Sequence, residues 1–235
     1  MPDFQSSGAA SGRRDTGRFA NSSDERFDLL TDLKYLMVAY LAEALKEPTA
    51  SILSPTMAGL LAVYLDDEKG GIADLRDLGV EAGLAIALPP RIDLLQGFAG
   101  LGREAGMGSF DPFASESSLL TGALIMNSLS QAVIAAWLCE SDLTGFREAL
   151  LRMLANDSRF EGTLNGAMYF LGPSAEDRAR ELQALICGPF VRMRTGERLW
   201  SFSLLRMAIV RLACGGQERI AGGFFPEGMS GSARR

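Results

Sequence analysis

The 235-residue chain contains no histidine. This excludes nucleophile–imidazole pairs, imidazole general bases and histidine-ligated zinc. Three cysteines, Cys139, Cys187 and Cys214, stand far apart without CxxC spacing. That usage points to buried thiols in a reducing compartment and not to a disulfide framework. Cys187 lies near Arg192 and would be a redox sensor if exposed. Arginine dominates the cations: only Lys34, Lys46 and Lys69 among 23 basic residues are lysine. The arginine fork suits bidentate contact with phosphate or carboxylate, although a GC-rich genome gives the same bias. Arg192 and Arg194 alternate with Val191 and Met193, so on a strand both arginines share the face opposite the two apolar residues. Thr195-Gly196 can turn the chain, and Glu197–Phe202, carrying Arg198, can return. This arginine face either contacts phosphate or is solvated and paired with Glu176, Asp177, Glu181 and Glu197.

Other motifs carry less chemistry. There is no GxxxxGK[ST] phosphate loop and no strand-bound GxGxxG. The glycines of 79–83 and 97–102 fall in helical patterns and are read as close helix contacts. Asp66-Asp67-Glu68 could hold a hard cation, but without further ligands at suitable spacing it reads as the solvated end of a helix. Trp137 and Trp200 read as core anchors. No catalytic residue, metal or cofactor is expected.

Composition is that of an ordinary globular protein, 47% hydrophobic and 22% charged. The net charge of −6 is unevenly spread. Residues 24–143 carry 18 acidic and 7 basic side chains, whereas 144–219 carry 11 arginines and 8 acidic residues. Such a split predicts two faces with different partners. Residues 1–23 and 220–235 read as flexible tails, and the first has no apolar core of a secretory signal.

The elements that must position these residues are mainly helical. Residues 24–47 repeat apolar side chains at helical spacing and stop at Pro48. Ser54-Pro55 caps and opens a second helix that ends near Lys69-Gly70-Gly71. A glycine-containing apolar segment follows at 72–88, then Pro89-Pro90 and a helix over 91–103. Residues 117–139 lack charge and are long enough to span a bilayer. Their Ser, Thr, Asn and Gln content favours a buried central helix instead. Helices are expected at 143–155 and about 159–171, then one from Ser174 to about Cys187, and a last one over about 203–214.

The segment LGPSAEDRARELQALICGPFVRM, with the helices before it and the hairpin after it, resembles the turn, recognition helix and wing of winged helix-turn-helix proteins. The resemblance covers 144–202 and rests on apolar pattern. A fainter, degenerate copy spans 54–107, where GLAIALPPRIDLLQGFAGLGREAGM places a proline turn before an amphipathic helix. The implied fold is mainly α, a helical bundle with one or two winged-helix-like units and a small β-hairpin. The implied domains are an acidic helical unit at 24–139 and a winged-helix-like unit at 140–219. The resemblance also implies that Ser174, Arg178, Arg180, Arg192, Arg194 and Arg198 contact double-stranded DNA.

Two functions are expected on these grounds. One is a cytoplasmic, DNA-binding transcriptional regulator, a homodimer through the apolar face of helix 24–47, with no membrane contact. The other is a non-enzymatic adaptor of tandem winged-helix-like units whose acidic N-terminal half binds protein and avoids nucleic acid.

Overall fold

The computed structural model describes residues 17–84, 86, 88–104, 109–139, 145–175, 177, 179–181 and 223–229. Five α-helices carry the fold: α1 (Gly17–Ala44), α2 (Pro55–Glu81), α3 (Leu94–Glu104), α4 (Glu116–Leu138) and α5 (Arg147–Leu171). A short 3₁₀ turn, Thr49–Ile52, links α1 to α2. The protein is mainly helical, as its periodicity predicts, and no strand element lies among the described residues.

Helices α1, α2, α5 and α4 pack in that order around a closed ring, α4 returning to α1. Helix α4 is the apolar pillar. Sixteen of its residues are buried, and 89% of its most apolar stretch lies inside the protein. Its length and composition would suit a membrane span, but here neighbouring helices cover it. Ser115 caps it by accepting from the Ser118 N–H at 3.1 Å.

Helix α1 begins at Gly17, inside the segment expected to be a tail, and ends at Ala44 instead of Glu47. It is buried on more than one stripe: Phe27, Leu30, Leu33, Leu36, Met37, Tyr40 and Leu41 are all under 4% exposed. Contacts with α2 and α4 cover it. The apolar face expected to need a second copy is thus satisfied within the chain.

Two expected breaks are absent. Gly70-Gly71 does not end a helix, because α2 runs through it for 27 residues. Its buried positions, Leu61, Tyr64, Glu68, Ile72, Leu75 and Gly79, step by three or four and form one continuous stripe. The segment 72–88 is therefore largely the second half of α2. Likewise the helices expected at 143–155 and 159–171 are one helix, α5. Asn156-Asp157-Ser158 reads locally as a break, but Asp157 is fully buried and Phe160 stacks on Tyr64 with ring centroids 3.4 Å apart. Those tertiary contacts override weak local propensity.

Helix α3 is amphipathic, with Phe98 and Leu101 buried. Residues 223–229 pack on it, although the sequence placed them in a tail. The Asp93 N–H donates to the Phe224 carbonyl at 2.9 Å, and the Phe98 and Phe224 rings meet edge-to-face at 5.0 Å. Gly97 is required here, since a Cβ would run into the Phe224 ring. Beyond α5, Gly172 has φ +107°, and helical backbone resumes at Pro173, so Ser174 lies inside a first turn instead of capping it.

Candidate functional site

Each helix of the ring sends polar side chains to one buried point. Lys34 comes from α1, Tyr64 and Glu68 from α2, Asn127, Ser130 and Gln131 from α4, and Asp157 from α5. On α2 the positions 64 and 68 are one turn apart and share the inward stripe. On α4 the positions 127, 130 and 131 likewise share a face.

Lys34 Nζ donates to Glu68 Oε1 at 2.9 Å and to Asp157 Oδ1 and Oδ2 at 2.9 and 3.1 Å. All three side chains are at most 3% exposed. Ser130 Oγ donates to Asp157 Oδ2 at 2.8 Å. The Tyr64 hydroxyl sits 2.8 Å from Asn127 Oδ1 and 3.1 Å from Asp157 Oδ1. Asn127 Nδ2 and Gln131 Nε2 donate to the Asp157 carbonyl at 2.9 and 3.3 Å. Asp157 is thereby held on both carboxylate oxygens and on its carbonyl. Glu68 is held less fully: Lys34 bonds its Oε1 and the Tyr64 hydroxyl lies beside the carboxyl, while Oε2 is buried without a well-aligned donor.

The electrostatics follow from that asymmetry. Burial pushes the Lys34 ammonium down, but Asp157 and Glu68 outweigh it, and the group ends above its ordinary range. Lys34 is thus a fixed cation and not a nucleophilic amine. Burial pushes the Glu68 carboxyl up; Lys34 opposes this and the Asp157 charge adds to it, leaving it at about 7. Burial, reinforced by the same two carboxylates, keeps the Tyr64 phenol neutral. With two carboxyls facing one ammonium, full ionisation of Glu68 leaves a buried excess of negative charge. An apolar cluster of similar volume would commonly be as stable or more so, so the arrangement is a candidate for function.

The cluster forms the floor of a hollow of about 190 Å³ between α2 and α5, walled by residues including Asp66, Asp67, Gly70, Gly71, Asp74, Arg152 and Asn156. A second hollow of about 290 Å³ shares Asp74 and Arg152 and continues past Asp77, Glu81 and Glu148. Together they make an acidic groove lined by eight carboxylates against Lys34 and Arg152. Two exposed ion pairs tie its walls, Arg152–Asp74 at 2.6 Å and Arg159–Asp67 at 2.8 Å. No group of three or more cysteine, aspartate or glutamate side chains among the described residues has metal-binding geometry.

Sequence reasoning treated Asp66-Asp67-Glu68 as the solvated end of a helix. Asp66 is solvated, but Glu68 is buried in mid-helix. Lys34 and Asp157 carry no site role in the sequence reading, and Asn127 enters it only among the polar residues of the charge-free helix. The legible signals were a lysine inside an apolar run and a stripe of amides and hydroxyls in a charge-free helix. Of the residues expected to contact DNA, Ser174 and Arg180 are exposed beyond α5. Arg178, Arg192, Arg194 and Arg198, and the hairpin expected to carry the last three, lie outside the described residues. Comparisons of the chain with protein-family models, curated proteins and solved structures found no match.

Proposed function

We propose that this chain is a non-enzymatic interaction protein whose helical domain receives a basic polypeptide segment in the groove between α2 and α5. One observation carries the reading. The groove concentrates carboxylates along α2 and α5, and its floor is the buried Lys34–Glu68–Asp157 cluster. A surface of this sign attracts cations and repels nucleic acid. The fixed Lys34 and the absence of histidine leave no nucleophilic amine and no imidazole at the cluster. The merged helices α2 and α5 give no support to a helix-turn-helix within the described residues.

The test is fluorescence anisotropy of the full chain with a labelled lysine- and arginine-rich peptide and, separately, with a mixed-sequence DNA duplex, across a salt series. Asp77, Glu81 and Glu148 are exposed, so an Asp77→Lys, Glu81→Lys, Glu148→Lys variant reverses the groove's charge without touching its buried floor. The expected result is peptide binding that weakens with salt and is lost in the variant. Duplex binding with no peptide binding would overturn the proposal and return the DNA-regulator reading.

A further inference from the structure

We propose that the outer face of α5 is a homodimer interface, on which a second copy of the chain packs its own α5 in the antiparallel sense. Large apolar side chains stand in water at both ends of that face. Leu151 is 49% exposed at one end, and Tyr169 and Phe170 are 69% and 87% exposed at the other. The two rings meet edge-to-face at 5.9 Å. An exposed aromatic pair of this kind marks a contact surface more than a fold requirement. Between the ends lie the small exposed residues Ala155, Ser158, Gly162 and Gly166. Each is three or four positions from the next, so they form one uncharged stripe. A Cβ at Gly162 or Gly166 would meet nothing within 4 Å. The packing of the single chain therefore requires neither glycine, although each costs about 1 kcal/mol in mid-helix. Beyond the stripe, Gly172 turns the chain off the helix axis with φ +107°. Ala179 is then buried in the core, so the chain leaving α5 turns back to the body and this end of the face stays open.

The stripe is its own complement, which is what singles out a second copy. Reversing α5 about residue 160 sets Leu151 against Tyr169 of the other copy, Ala155 against Gly166, and Ser158 against Gly162. Crossing helices approach most closely at the crossing point and diverge towards their ends. Small residues thus fall where the backbones are closest, and bulky ones where the gap widens. The charges agree with this register. A twofold axis keeps the α2 flanks of both copies on one side, so Arg152, 54% exposed, falls beside the Phe170 ring of the other copy, a cation against an aromatic face. The contact is isologous and closes on itself.

Its size suits a reversible dimer. Tyr169 and Phe170 together expose about 300 Å² in each copy. With Leu151 and the helix surface between them, two copies bury about 1,000 Å², the lower bound for specific association. The same symmetry sets the two acidic α2 flanks side by side. Salt screens that repulsion and strengthens the dimer, the reverse of its effect on peptide binding in the groove.

The experiment is sedimentation equilibrium of the full chain between about 2 and 200 µM, at low and high salt. The expected result is a shift from the 25.2 kDa monomer towards twice that mass, more complete at high salt. Gly162→Leu puts bulk at the crossing point, and Phe170→Glu puts a charge on the interface. Each is expected to weaken association at least about tenfold with helical circular dichroism retained, since both positions are exposed. Orientation is read by crosslinking in a Cys139→Ala, Cys187→Ala, Cys214→Ala background. There a Leu151→Cys copy and a Tyr169→Cys copy are expected to form a mixed disulfide. Antiparallel helices hold the two copies of position 151 about 27 Å apart, beyond disulfide reach, so neither variant crosslinks to itself. A monomer throughout the range, which would leave this face to a different polypeptide, overturns the proposal. So does association unchanged in both interface variants, or self-crosslinking at either position. Peptide binding in the groove stands or falls separately.

Discussion

Three buried side chains, Lys34, Glu68 and Asp157, set the character of this protein. Asp157 gathers hydrogen bonds from Lys34 and from Ser130, with the Tyr64 hydroxyl also within reach, whereas Glu68 bonds Lys34 through Oε1 and lies beside the Tyr64 hydroxyl. The stability consequence has a definite sign. A carboxyl raised from 4.5 to about 7 binds more protons in the folded than in the unfolded state between those values. Its contribution therefore favours folding at low pH and is lost as pH rises through that window. Lys34, raised above 10.5, contributes stability that is present below that value and lost only in alkaline solution. Glu68→Gln should accordingly match wild type below about pH 4 and exceed it by up to about 3 kcal/mol by about pH 8. Thermal unfolding of both proteins across that range is the check. A constant difference between the two melting curves would mean that Glu68 does not titrate there. A neutral substitution that stabilises would also mark Glu68 as retained for something other than folding.

At the scale of elements, the helices are longer than their sequences suggest. Gly70-Gly71 looks like a stop signal, yet Ile72 and Leu75 carry the buried stripe past it. The Asn156-Asp157-Ser158 run looks like a loop, yet its aspartate is the most bonded side chain of the core cluster. Local propensity amounts to about 1 kcal/mol for a glycine in mid-helix, which a buried face outweighs. The continuity of α2 gives a direct prediction. Gly70→Ala, with open space around the new methyl group, should stabilise the protein by about 0.5–1 kcal/mol in urea unfolding. A helix that ended at Gly70 with positive φ would instead be destabilised by the same change.

Over the whole molecule, the ring of four helices does two jobs. It buries α4, so a helix apolar enough for a membrane becomes a core pillar. It also brings Lys34 and Asp157, 123 positions apart in sequence, into contact. The ring is extended on one side by α3 with residues 223–229, which tie the far end of the chain to Asp93 and Phe98. Phe224 is 1% exposed. Phe224→Ala should cost about 3–5 kcal/mol, measured by urea unfolding. A loss below about 1 kcal/mol would show that this segment is only loosely applied to α3.

Much of this was legible in the residues themselves. The stripes of α1 and α4 are written in their periodicity, because burying apolar area is the dominant driving force and repeats every 3.6 residues. The Ser54-Pro55 start of α2 is a local matter of caps and fixed φ. The exclusion of imidazole chemistry needs only composition. What the sequence left open depended on distance in three dimensions. Glycine pairs and an Asn-Asp-Ser run have the same local preferences whether they end a helix or pass through it, and only the packing of Tyr64 on Phe160 and of Asp157 on Lys34 decides between them. A glutamate beside two aspartates looks solvated in any one-dimensional reading. Its burial and its bond to a lysine 34 positions away exist only once four helices close around it.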